Sequence, residues 1–133
     1  MTPVLLKASA IWIAFLALAI INATIREKAL APFLGARIAL PLSGITLALL
    51  IFLVTQLLIP QLGRLTTVQY LTIGGLWLLM TVAFEFAFGR YVIGDSWAVL
   101  LKSYDISSGN LWLLVLLVIS VSPYLCARVR GLV

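Results

Sequence analysis

The chain has 133 residues, of which 64% are hydrophobic and only 10% charged, whereas soluble domains carry about 25% charged residues. This excludes an ordinary soluble domain and predicts an integral membrane protein. The formal net charge of +5 comes from nine Lys and Arg set singly at the ends of apolar runs, with no basic patch interleaved with aromatics, so nucleic acid is not an expected partner.

Four long uncharged runs, Ala8 to Ile25, Ile38 to Gly63, Leu65 to Phe84 and Ile106 to Ala127, each hold enough residues to cross the hydrocarbon core, which takes about 20 at roughly 1.5 Å apiece. The expected fold is all-α: an integral membrane four-helix bundle with spans at about 3–25, 41–60, 68–90 and 108–127, forming one domain over residues 1–133. The lone Cys126 has no partner for an internal disulfide, and the absence of His removes the usual Cys and His metal sites. No metal or cofactor is expected.

The first span opens with Pro3 and Lys7, and Asn22 and Arg26 share its inner face four residues apart. Its run is long for a signal-peptide core, and Pro32 follows the one small-x-small candidate, Ala29-Leu30-Ala31, so a retained helix is expected. Residues 29–40, punctuated by Pro32 and Gly35, are too few to cross and too apolar for a free loop. They are predicted to lie at the interface or to re-enter partway. Pro41 suits the first turn of the second span, which carries Thr55 and Gln56 and stops at Pro60. A short connection through Gly63 and Arg64 makes the second and third spans antiparallel neighbours.

The third span carries the most informative stretch. Gly74, Leu78, Thr81, Glu85 and Gly89 recur at steps of three or four, a small-and-polar stripe of the kind at which membrane helices meet. Trp77, Leu79, Met80, Phe84 and Phe86 fall on the other faces. Glu85 is the costliest residue to place in hydrocarbon, because an ionised side chain there needs a partner, water or a proton. It lies five residues before Arg90, about 7 Å along the axis, and so near one boundary rather than the midplane.

After Gly94 and Asp95, residues 95–105 combine Trp97, Lys102 and Tyr104 as a second interfacial segment. Ser107, Ser108 and Gly109 introduce the fourth span, where Pro123 should bend the helix and Ser120 or Ser122 bond the carbonyl it releases. The halves echo each other: Asn22 precedes Ser43 by 21 residues and Glu85 precedes Ser108 by 23, consistent with a weak parallel two-hairpin repeat or with convergent hairpins.

With four spans, Lys7, Arg64, Arg128 and Arg130 share one side, and Arg26, Lys28, Arg37, Arg90 and Lys102 share the other with all four acids. Placing the unmixed basic side inside puts both termini in the cytoplasm. At the acidic boundary, Asn22, Arg26, Glu27, Thr81, Glu85, Arg90, Asp95 and Trp97 form the candidate site. In one reading Glu85 pairs with Arg26 or Arg90, hydrogen-bonds Asn22 and clamps the first and third spans. In the other, the same groups line a one-sided pocket for a lipid headgroup, a small polar or ionic solute, or a segment of a partner membrane subunit. No catalytic residue is expected, since no nucleophile elbow, close carboxylate pair or phosphate loop is present.

The succession Asn22-x-x-x-Arg26-Glu27, Phe84-Glu85-x-x-Phe88-Gly89, Ser96-Trp97-x-x-Leu100-Leu101-x-x-Tyr104 and Gly109-x-x-Trp112 resembles a group of small uncharacterised four-span bacterial membrane proteins. The resemblance covers nearly the whole chain, implies an inner-membrane location and brings no activity or functional residue with it. The expected role is that of a non-enzymatic accessory or scaffold protein, assembled with itself or another membrane protein. A small proton- or ion-coupled transporter or channel using Glu85 is the alternative.

Overall fold

The computed structural model describes residues 2–104 and 111–133. Every regular element among them is helical: α1 (Thr2–Ile25), α2 (Ala31–Leu34), α3 (Ala36–Leu58), α4 (Thr67–Phe88), α5 (Trp97–Leu101) and α6 (Trp112–Val129). With their flanking turns they give four helices long and apolar enough to cross a membrane, Pro3–Leu34, Arg37–Leu62, Thr67–Ile93 and Trp112–Val129. At about 1.5 Å per residue, even the shortest, at 18 residues, nearly matches a hydrocarbon core of about 30 Å.

The segment at 29–40 is not a separate element. A five-residue π-helical turn, Arg26–Leu30, carries α1 directly into α2, and the helix breaks only at Gly35, whose φ of 83° favours a residue without a Cβ. The next helix then starts at Ala36 rather than Pro41, which lies inside it. A second π turn, Gly89–Ile93, extends α4 and ends at left-handed Gly94. Thus the first and third spans both carry the same rare helical form near the same end of the bundle. Ser107, Ser108 and Gly109, the predicted start of the fourth span, lie outside the described residues.

Helix α6 packs along both α3 and α4, while α1 contacts α3 closely and α4 more sparsely. The tightest crossing is set by Gly74: a Cβ added there would sit 1.8 Å from the Ser120 carbonyl oxygen, so α4 and α6 meet backbone to backbone. Around this crossing Tyr70, Ile73, Trp77, Ile59, Ile119 and Cys126 are fully or almost fully buried. Trp77 therefore belongs to the core, although it lies off the small-and-polar stripe. Its ring meets Phe15 edge-on at 4.8 Å and its Nε1 donates to the Ala8 carbonyl at 2.9 Å, a partner that a buried indole requires.

The 60–66 connection is fastened from within. The Tyr70 hydroxyl donates to the Gly63 carbonyl at 2.7 Å and accepts from the Leu65 amide, and Thr66 and Gln69 form a reciprocal capping box at the start of α4. Pro123 sits within α6 without interrupting it. The nearby serines do not serve the Ile119 carbonyl four residues before it: Ser120 donates to Leu117 and Ser122 to Val118. Each hydroxyl back-bonds to its own preceding turn, a common fate of Ser in an apolar helix.

Candidate functional site

At the other end of the bundle, packing loosens and two adjoining cavities open. The larger, about 310 Å³, is mainly apolar; Trp12, Phe15, Phe84, Phe88 and Ile119 form much of its wall. The smaller, about 260 Å³, is bordered by Asn22, Arg26, Ser43 and Leu111. Ala19, Ala23, Leu47, Glu85, Trp112 and Val115 line both, so Glu85 stands where the apolar and polar spaces meet. Together they fall within the roughly 300–1,000 Å³ of small-molecule pockets.

The Glu85 carboxylate is held by two donors, both on Oε2: the Tyr104 hydroxyl at 2.8 Å and the Trp112 indole Nε1 at 2.7 Å. The chain delivers Tyr104 by folding back on itself. Ser96 caps α5 through the Val99 amide, and the missing side chain of Gly89 admits Leu100, which an added Cβ would approach to 2.4 Å. Phe86 then stacks on Tyr104 at 6.0 Å and contacts Trp97 at 6.1 Å, fixing the phenol over the carboxylate. Partial burial and the neighbouring Glu85 push the Tyr104 phenol up to about 12.

The expected clamp is not formed. Among the described residues no Lys or Arg nitrogen lies within 4 Å of the Glu85 carboxylate, and Asn22 accepts from the Ser43 hydroxyl instead of bonding Glu85. Arg90 lies over the Trp97 ring, 5.6 Å from its centroid, a cation–π contact. Arg26 and Glu85 instead border a common cavity, and α1 contacts α4 only sparsely.

Of the eight residues singled out in the sequence, Asn22, Arg26, Thr81, Glu85 and Asp95 line one cavity or the other. Thr81 is anchored on both sides, accepting from Trp12 Nε1 at 2.9 Å and donating to the Trp77 carbonyl at 2.7 Å. Glu27 is exposed on the π turn, and Arg90 and Trp97 form their own contact behind the aromatic wall. Tyr104, Trp112 and Ser43 hold the central polar groups and were not among the eight. One signal marked two of them: Tyr104 and Trp112 are aromatic side chains with polar donors, placed in the sequence on either side of the entry to the fourth span.

The cavity has an apolar outer edge. Ile20, Phe88 and Ile93 line it and are also 56%, 40% and 61% exposed on the outside, which puts an opening between α1 and the end of α4. No metal-binding group of three or more His, Cys, Asp or Glu occurs among the described residues. No protein-family model, curated protein or solved structure matches the chain.

Proposed function

We propose that this chain is a small, non-enzymatic integral membrane protein of the bacterial inner membrane that binds a membrane lipid in a one-sided pocket, serving as an accessory or scaffold component with both termini in the cytoplasm. One observation carries this reading: an apolar cavity with an outer edge of Ile20, Phe88 and Ile93 adjoins a polar cavity bearing Arg26 and Asn22, with Glu85 at their junction. An acyl chain suits the first space and a headgroup the second. Pockets of this kind combine an apolar lining with a few placed polar groups. The broad exposed apolar surface of the outer helices also suits assembly with a second copy or a partner membrane protein.

A transporter or channel would need a polar path from Glu85 past Thr81 to Gln56 near the opposite end. The buried, unpartnered Oε1 of Gln56 favours that reading, because such a group ordinarily finds a partner. The buried Ile73, Trp77 and Ile119 and the backbone contact at Gly74 oppose it, and they weigh more because they occupy the route itself.

The test is native mass spectrometry of protein released from lipid nanodiscs, with Ala23→Phe filling the space shared by both cavities. The expected result is a retained lipid in the wild type, lost in Ala23→Phe while thermal stability is kept. Equal lipid retention by both proteins contradicts the pocket, and a proton flux in proteoliposomes abolished by Glu85→Gln would replace it with transport.

A further inference from the structure

An arginine and a glutamate face the polar cavity without meeting. Arg26 and Glu85 both line it, and among the described residues the guanidinium makes no ion pair or hydrogen bond. Tyr104 and Trp112 both occupy Oε2 of Glu85, and Oε1 has no donor among those residues. Asn22 is similarly half used. Its Oδ1 accepts from Ser43, which leaves its amide N–H groups as donors one turn from Arg26.

The cavity therefore offers N–H donors with a positive charge from α1 and a bare carboxylate oxygen from α4. A purely anionic ligand would satisfy Arg26 and be repelled by Glu85; a purely cationic one would do the reverse. Only a group carrying both signs offsets both, and unpaired charges sheltered from water are costly enough for this to matter. The bare Oε1 further selects a cation that can donate a hydrogen bond. A primary ammonium has three N–H donors, and a quaternary ammonium has none.

We infer that the preferred ligand is a lipid with a phosphoethanolamine headgroup, its phosphate at Arg26 and Asn22, its ammonium at Glu85 Oε1 and its chain in the apolar cavity. This rests on the lipid-pocket reading and adds the headgroup to it.

The experiment is native mass spectrometry of the whole protein, titrated separately with chain-matched phosphatidylethanolamine, phosphatidylcholine and phosphatidylglycerol. Phosphatidylethanolamine is expected to bind about tenfold more tightly than the other two, the increment of one charge-assisted hydrogen bond. Glu85→Gln should bring the three lipids to near parity, and Arg26→Gln should weaken all three. N-acetylated phosphatidylethanolamine, which lacks the ammonium, should fall to the phosphatidylglycerol level on the unaltered protein, a comparison independent of how any variant folds. Equal binding of all four lipids that Ala23→Phe still abolishes overturns the headgroup assignment and leaves the pocket standing. Binding that Ala23→Phe does not touch overturns both.

Discussion

The two ends of the bundle are built from the same apolar vocabulary and behave as opposites. At one end Gly74 lets α4 and α6 touch through their backbones, and Tyr70, Ile73 and Trp77 leave no exposed surface. At the other, a π turn follows both α1 and α4, and cavities of about 310 and 260 Å³ border Glu85. Rare π turns recur at functional sites because they redirect side chains at some cost to helix geometry. The contrast teaches that polar groups alone do not make a site in such a chain. Thr55 and Ser122 are buried too, but each hydroxyl is consumed by its own helix, whereas Glu85 and Arg26 keep unused valence beside open space.

Three perturbations would break or sharpen this comparison. The largest effect is expected from Trp77→Ala, which removes a fully buried ring and its bond to Ala8 and should cost about 3–5 kcal/mol. Cys126, buried at that end, gives the readout: its thiol should react at distinctly lower denaturant in the variant. Gly74→Ala comes next, at about 1–3 kcal/mol, since the new methyl has to push the Ser120 backbone away. An unchanged denaturation midpoint for Gly74→Ala would mean that the crossing is not closely packed.

The smallest effect belongs to the open end. Tyr104→Phe removes one hydrogen bond to Glu85 and should cost about 1 kcal/mol while leaving Cys126 reactivity nearly unchanged in the folded protein. It also has a pH signature. With the phenol raised from 10.0 to about 12, the folded chain keeps a proton that the unfolded chain has lost, so this contribution is complete below pH 10 and disappears as pH rises towards 12. Tyrosinate absorbance should show a step near pH 12 in the wild type that is missing from Tyr104→Phe. If Tyr104→Phe leaves the step near pH 12 unchanged, the phenol is not held on the carboxylate.

Four helices were legible in the sequence because uncharged runs of spanning length are a strong signal, and five of the eight candidate residues do border the cavities. The partners of Glu85 were less legible. Charge complementarity pointed to Arg26 and Arg90, but the cavity that Arg26 and Glu85 both border and the stacking of Arg90 on Trp97 are tertiary facts with no local signature. Trp77 falls off the stripe through Gly74, Leu78 and Thr81 and is nevertheless fully buried. In an apolar helix periodicity barely separates one face from another. The helical 29–40 stretch was hidden by Pro32, Gly35 and Pro41, which suggest an interrupted segment, whereas Pro32 stands in the first turn of α2 and Pro41 lies within α3.

The most direct test of a bundle sealed at one end and open at the other is thiol labelling in sealed proteoliposomes, with Cys126→Ala as background and a membrane-impermeant maleimide as reagent. Lys28→Cys and Arg64→Cys, exposed at opposite ends of the bundle, define the two faces. Ala23→Cys, which borders both cavities, should label only from the face that labels Lys28→Cys. Labelling from the face of Arg64→Cys, or from both faces, would contradict a one-sided pocket.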